Sequence, residues 1–138
     1  METINEQQIW NVYLRNCPCR DVLDLLANKW TALMMGALRT SPHRFGELRR
    51  AVEGISQKML TQNLRTLERD GLVTRTVYPT TPPSVEYALT DMGREVSGYL
   101  VALSDWSQRN FSEITAARQD YDAKTEIQAD GKAIPVAV

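Results

Sequence analysis

The sequence predicts a mainly α-helical fold with one small β-hairpin, in the α+β class, and three observations lead to this prediction. Two short segments, 72–78 and 85–89, alternate in side-chain character as half-buried strands do. Three prolines between them favour a projecting turn over a further strand. The segments on either side of this hairpin carry apolar residues at helical spacing. A chain of 138 residues is long enough for one domain with a single core.

The first predicted elements are a core helix and a helix-turn-helix. The core helix runs from Lys29 to Leu38, has little polar surface, and ends before the Thr40-Ser41-Pro42 segment. The next helix lies within 44–52, where apolar residues fall at helical spacing. Gly54, which can adopt a left-handed conformation, then interrupts the pattern before another helix begins. A helix, a short glycine turn and a second helix are typical of helix-turn-helix units.

The helix between Ser56 and Gly71 has the most informative pattern in the chain. Ser56 is a good N-cap and Gly71 is a natural C-terminal stop. One face is a leucine stripe at i, i+4 and i+7, and the opposite face carries cations and amides without a carboxylate. The polar face consists of Lys58, Gln62, Arg65 and Arg69, with Thr61 at its edge. A solvated face is the alternative, but such faces usually mix acids with bases, so the pattern favours DNA recognition.

The distribution of charge agrees with this interpretation. Residues 29–78 contain nine Lys or Arg and four acids, a net charge of +5. The remainder has a net charge of −6, although the whole chain is only −1. Positive charge is therefore concentrated on the segment that we expect to face the phosphates.

The order of motifs resembles the HxlR-type winged helix-turn-helix transcription regulators over about residues 17 to 108. The motifs are Cys17-Pro18, Lys29-Trp30, Arg44-Phe45-Gly46-Glu47-Leu48, Ile55-Ser56, Leu60-Thr61, Leu67, Asp70-Gly71-Leu72 and the segment 82–90, PPSVEYALT. The resemblance implies a bacterial, dimeric, DNA-binding repressor or activator related to the MarR group. The chain departs from the family pattern at Ser84, where a basic residue is usual, and at Asn28, where glycine is usual.

Helix face and resemblance together predict the roles of individual residues in DNA binding. We expect five side chains of the second helix to read the major groove: Gln57, Lys58, Thr61, Gln62 and Arg65. Arg49, Arg50 and Arg69 are expected to hold phosphates, and Ser56 both caps its helix and touches a phosphate. Because Ser84 is not basic, the candidate contacts of the wing are Arg75, Thr80 and Thr81.

Two flanking segments predict a homodimer. A long helical pattern follows Thr90, a plausible N-cap, and carries a seam that is nearly coiled-coil in spacing, formed by Met92, Val96, Tyr99, Leu103 and Trp106. An N-terminal stretch with Ile9, Trp10 and Tyr13 is a second candidate for the same interface. These side chains form either a dimer interface or satellites of the monomer's own core. A dimer would present two recognition helices about one DNA turn, ~34 Å, apart to an inverted repeat.

The resulting organisation has four parts. Residues 1–16 form the N-terminal dimerisation arm and residues 17–90 the winged helix-turn-helix domain. Residues 91–118 form the C-terminal dimerisation helix. Residues 119–138, where Ala, Asp, Lys, Gly and Pro dominate from about Tyr121, are expected to be a mobile tail.

Both cysteines lie in Cys17-Pro18-Cys19. One residue separates them and Pro18 has a fixed φ, so we expect that they do not easily pair, because a bridge between them would be strained. The resemblance places Cys17 at the position of the reactive cysteine in sensing relatives, and Arg15, Arg20 and a helix N-terminus would acidify a thiol there. The hypothesis is that oxidation or electrophile addition, including a disulfide to the other protomer, changes operator affinity. Half-buried, unreactive cysteines are the alternative.

Other classes fit the sequence less well. No glycine-rich phosphate loop, nucleophile elbow or framed carboxylate pair indicates an enzyme. Two thiols and a lone His43 predict no metal site, and no cofactor is expected. No membrane span or signal peptide is evident, so we expect a cytoplasmic protein. The expected partners are double-stranded DNA, a second copy, and an oxidant or small-molecule effector. Two alternatives remain open: a winged-helix dimer that binds proteins, and a regulator that senses a ligand without thiol chemistry.

Overall fold

The computed structural model describes residues 10–129, which form six helices and three strands. The helices are α1 (Cys19–Leu26), α2 (Lys29–Thr40), α3 (Phe45–Ala51), α4 (Gln57–Arg69), α5 (Asp91–Arg109) and α6 (Phe111–Ala129). The strands are β1 (His43–Arg44), β2 (Val73–Tyr78) and β3 (Ser84–Leu89). Ile9, predicted to lie at a dimer interface, is outside the described residues, and so is most of the predicted N-terminal arm.

The described residues fall into two compact units that divide between Val101 and Ala102. The first contains α1 to α4, the sheet and the first half of α5. The second contains the rest of α5 and α6. Within residues 10–129, no helix is long and apolar enough to cross a membrane.

The core of the first unit is built on the apolar faces predicted for α2, α3 and α4. Leu60, Leu64 and Leu67 of α4 are at most 2% exposed, so the leucine stripe is confirmed as the buried face of the helix. They share one cluster with α2, α3, the α3–α4 turn, the strands and α5 through Met34, Met35, Leu38, Leu48, Val52, Ile55, Leu72, Val73 and Leu100. Removal of this apolar surface from water is the main force that holds α4 in place.

The helix boundaries follow from local side-chain chemistry. Ser56 caps α4, because its hydroxyl accepts a hydrogen bond from the backbone N–H of Met59 at 3.0 Å. Gly71 has φ +75° and ends this helix as predicted. Asn28, one of the two departures from the family pattern, caps α2 by accepting from the N–H of Trp30 at 2.8 Å.

The sheet is antiparallel with strand order β1-β3-β2. The hairpin of β2 and β3 pairs in register from Val73 with Leu89 to Tyr78 with Ser84, which confirms the predicted wing. Its tip contains a cis Thr81–Pro82 peptide bond. Strand β1 was not predicted, since two residues carry no periodic signal, and it pairs with the side of β3 that β2 leaves free.

The C-terminal region differs from the single helix predicted for 91–118. The chain forms α5 up to Arg109 and α6 from Phe111, with a break at Asn110. The Asn110 side chain donates to the carbonyl of Trp106 at 2.9 Å, the kind of local hydrogen bond by which asparagine competes with helix continuation. Residues 119–129 continue α6, so the helical conformation extends past the predicted boundary of the tail, and 130–138 lie outside the described residues.

Cys17 and Cys19 are joined by a disulfide bond, which corrects our expectation that Pro18 would disfavour a bridge between them. Pro18 adopts a helical conformation, with φ −62° and ψ −19°, immediately before α1. This turn brings the two Cα atoms to 5.3 Å, inside the range that disulfides span. The fixed φ of proline is thus compatible with the bridge when ψ is helical.

Candidate nucleic-acid interface

The exposed face of α4 carries all five side chains predicted to read base edges. Burial of the leucine stripe turns the opposite face of the helix outward. The five residues that line one shallow depression on this face are Gln57, Lys58, Thr61, Gln62 and Arg65. No acidic residue lines this depression. It therefore presents amide, hydroxyl, ammonium and guanidinium groups together, the set that hydrogen-bonds to bases in the major groove.

The cations around α4 are not engaged in holding the fold together. Among the arginines of residues 10–129, only Arg20 and Arg39 donate hydrogen bonds from their guanidinium groups. The five donor N–H groups of Arg65 are therefore available to a ligand. Thr61 differs, because its hydroxyl donates to the carbonyl of Gln57 at 2.8 Å. Its oxygen can still accept, and its methyl group can contact thymine.

Glu68 marks the edge of this interface. It lines a neighbouring hollow between α4 and the sheet, together with Thr61, Arg65 and Arg75. Arg75 is an exposed residue of β2 that pairs with Tyr87, so it lies beside α4 and not at the tip of the wing. The structure thus brings Arg75 close to Arg65, which the sequence did not indicate.

The predicted phosphate contacts occupy helix ends. Arg49 and Arg50 are exposed in the last turn of α3, and Arg69 is exposed in the last turn of α4. Arg50 shares a depression with Arg44, Gly46 and Glu47. Arg44 was absent from the predicted DNA-binding residues. Its position depends on the pairing of β1 with β3, a long-range contact that no local pattern reports.

The tip of the wing lines a groove next to the start of α3. Thr80, Thr81 and Ser84 line this groove together with Arg44 and Phe45. The hydroxyl of Thr80 donates to the carbonyl of Pro82 at 2.8 Å, so it is partly used in shaping the turn. Ser84 has a buried hydroxyl oxygen without a hydrogen-bond partner. Of the polar side chains predicted at the tip, Thr81 makes no side-chain hydrogen bond within the described residues.

The cysteine pair lies where the chain enters α1. The guanidinium of Arg20, in the first turn, donates to the carbonyl oxygens of Val12 and Tyr13 at 2.8 and 2.9 Å. Arg20 therefore connects the segment that contains Val12 and Tyr13 to the start of α1 by two hydrogen bonds. Within residues 10–129 both cysteines are bonded and none is free.

Most of the described side chains predicted to form a dimer interface are exposed. Trp10 is 61% exposed and Tyr13 88% in the N-terminal segment. On α5, Tyr99 is 69% exposed, Leu103 59% and Trp106 50%. Val96 is the exception, because it is half-buried and packs against the core of the first unit. It fits the alternative that some of these residues belong to the monomer's own core.

Comparisons with known proteins agree with this architecture. A model of the HxlR-like helix-turn-helix family matches residues 25–115. The uncharacterized HTH-type transcriptional regulator YtfH of Escherichia coli K12 is 44% identical over 110 residues, which cover 80% of this chain and 87% of that protein.

Two solved structures are informative. The putative transcriptional regulator ytfH from Salmonella typhimurium is 43% identical with a TM-score of 0.77, covering 80% of this chain and 99% of that one. The redox regulator HypR in its oxidized form is 39% identical with a TM-score of 0.62, covering 68% of this chain and 97% of that one.

Proposed function

Since this chain belongs to the HxlR-like helix-turn-helix family and is therefore a transcriptional regulator rather than an enzyme, we propose that it acts as a homodimeric repressor on an inverted-repeat operator. The observation that carries this proposal is the exposed face of α4, where Gln57, Lys58, Thr61, Gln62 and Arg65 line one depression without a carboxylate. Protein interfaces favour aromatic residues in their centre and disfavour lysine. The composition of this face therefore favours DNA over a protein partner.

Two groups of residues contact the DNA in different ways. The side chains in the α4 depression contact base edges and supply specificity. Arg49, Arg50 and Arg69, at the ends of α3 and α4, contact phosphates and supply affinity that does not depend on sequence. Ser56 retains its capping bond and presents the first turn of α4 to a phosphate. On the wing, Arg75, Thr80 and Thr81 extend the same contact surface.

A second copy covers the exposed apolar side chains of the flanking segments. Tyr99, Leu103 and Trp106 follow one another at helical spacing along α5, and each is at least half exposed. Exposed apolar stripes of this kind are costly in a monomer and are typical of subunit interfaces. Trp10 and Tyr13 contribute to the same dimer from the N-terminal segment. The two-fold symmetry of such a dimer matches that of an inverted repeat.

The effector of this regulator is an oxidant or an electrophile that acts on Cys17 and Cys19. An oxidant such as diamide takes two electrons and two protons from the two thiols, which form the disulfide, while diamide becomes the corresponding hydrazine. The chain is bridged between these cysteines at the start of α1, and its relative HypR is described as a redox regulator. A change at this position alters the anchoring of the N-terminal segment through Arg20 and so changes operator affinity.

The test is equilibrium binding of the purified protein to a fluorescent promoter fragment from its own genomic neighbourhood. Titrations are compared at several salt concentrations, with reduced protein and with diamide-treated protein, and with a random duplex of the same length. Salt-sensitive, sequence-selective binding that diamide changes supports the regulator and the thiol switch. Selective binding that diamide leaves unchanged favours a non-covalent ligand as the effector. Absence of selective binding favours the protein-binding alternative.

A further inference from the structure

Thr90 joins the end of the recognition helix to the beginning of the dimerisation helix. Its hydroxyl donates to the carbonyl of Gly71 at 2.7 Å and accepts from the N–H of Gly93 at 3.0 Å. Its backbone N–H donates to the carbonyl of Leu72 at 3.1 Å. Gly71 and Leu72 directly follow the C-cap of α4, and Gly93 lies in the first turn of α5. Thr90 therefore forms hydrogen bonds with both the segment that follows the C-terminal end of α4 and the first turn of α5.

Gly93 allows the two elements to meet without space between them. It is buried, and a Cβ atom at this position would overlap the carbonyl oxygen of Leu72. The obstructing atom belongs to the backbone, so it cannot move aside as a flexible side chain would. Any side chain at position 93 must push the first turn of α5 away from Leu72.

A second attachment holds α5 one turn later. The guanidinium of Arg39, on α2, donates to the carbonyl of Arg94 at 2.8 Å and to the hydroxyl of Ser97 at 3.0 Å. Ser97 is fully buried. The start of α5 is thus hydrogen-bonded both to the segment that follows α4 and to α2.

We propose that Thr90 and Gly93 are positioning residues, which fix the direction of α5 relative to α4 and thereby set the half-site spacing that the dimer reads. The inference rests on the proposed function, because it requires that α5 joins two copies and that α4 enters the major groove. In such a dimer, the two recognition helices are connected through the α5 helices, and each protomer contributes one contact between the end of α4 and the start of α5. A small change of the angle between α4 and α5 in each protomer therefore changes the separation of the two recognition helices.

The experiment measures spacing preference. Inverted repeats with identical half-sites, separated by a spacer lengthened one base pair at a time, are titrated with wild-type protein and with Gly93→Ala and Thr90→Val. Thr90→Val keeps the shape of the side chain and removes both hydroxyl hydrogen bonds. Thr90→Ser keeps the hydroxyl and is its control. Gly98→Ala adds the same methyl group to the same helix, at an ordinary 3.5 Å from the Arg39 guanidinium, and is the control for Gly93→Ala.

We expect Gly93→Ala and Thr90→Val to weaken binding at the wild-type spacing by about fivefold or more, the cost of roughly one lost base contact, or to shift the preferred spacing. Affinity for a duplex with a single half-site should stay within about twofold, since α4 itself is unchanged. The two controls should behave as the wild type. An unchanged spacing profile, or equal losses on single and double half-sites, would overturn the positioning role. If Gly93→Ala does not fold, as judged by circular dichroism, the Thr90→Val and Thr90→Ser pair decides the question.

A second readout needs no operator. A nitroxide label on Glu68→Cys, on the exposed surface of α4, reports the distance between the two recognition helices of a dimer by double electron–electron resonance. The only two native cysteines are bonded to each other and do not take up the label when labelling is done without a reductant. Gly93→Ala and Thr90→Val should shift or broaden the distance distribution, while an unchanged distribution contradicts the inference alone. Absence of any distance between protomers contradicts the proposed dimer, and the inference with it.

Discussion

Replacement of Arg65 by alanine should remove sequence discrimination without unfolding the protein. Arg65 is exposed on α4, lines the depression formed by the other predicted base readers, and donates no hydrogen bond within the described residues. We therefore expect the free energy of unfolding to change by no more than about 0.5 kcal/mol, as for other surface substitutions. A bidentate arginine–guanine contact contributes about 1–3 kcal/mol of discrimination. Affinity for a specific half-site should fall by roughly 5- to 150-fold.

The assay compares three variants on the specific half-site and on random duplex, over a range of salt concentrations. Arg65→Ala should weaken specific binding much more than random binding. Arg50→Ala, which removes a proposed phosphate contact at the end of α3, should weaken both alike and reduce the slope of log K against log salt by about 1. Lys124→Ala, on α6 beyond the predicted dimerisation helix, removes the same charge from an exposed residue outside both predicted interfaces, so it is the matched control.

Equal effects of Arg65→Ala and Arg50→Ala on specific and random DNA would refute this division of roles. A loss as large in Lys124→Ala would show that net charge, and not the position of the cation, determines the affinity. Urea unfolding of each variant separates both outcomes from a simple loss of folded protein.

Three further predictions follow from the structure. Ser56→Ala removes the hydroxyl that accepts from the N–H of Met59 and should lower the free energy of unfolding, measured in urea, by about 1 kcal/mol. Ser56→Thr keeps a hydroxyl and should retain most of the wild-type stability. Equal stabilities of the two variants would contradict the capping role. Cys17→Ser should abolish the response of DNA binding to diamide, and an unchanged response would end the thiol hypothesis. Leu103→Asp, on the exposed seam of α5, should convert the proposed dimer to a monomer in sedimentation velocity and weaken binding to an inverted repeat. An unchanged mass would contradict an interface on this seam.

Elements whose ends are set by local chemistry could be predicted from the sequence. The helix between Ser56 and Gly71 was bounded correctly, since the cap hydroxyl and the positive φ of glycine act within one turn. The two wing strands were placed within one residue of their observed ends, because alternation and prolines mark them locally. The leucine stripe and the opposite polar face of α4 follow from helical periodicity alone.

Features that depend on distant contacts could not be predicted. Strand β1 exists because β3 offers a free edge, and this pairing places Arg44 beside the wing. The buried position of Gly93 against Leu72 is likewise invisible in a helical pattern that tolerates glycine. Asn110 is a poor helix former but a single such residue is tolerated in a helix interior, so it gave only a weak signal for the break between α5 and α6. The disulfide was misjudged because the fixed φ of Pro18 was taken as an obstacle without considering a helical ψ.

The most direct test of the central claim is the affinity of the protein for its own promoter region relative to random duplex, measured as a function of salt concentration. We predict selective binding whose log K falls linearly with log salt, with a slope that reports several phosphate contacts from Arg49, Arg50, Arg69 and the wing. Binding that does not distinguish promoter from random DNA, or that does not respond to salt, would contradict the assignment of the α4 face to DNA recognition.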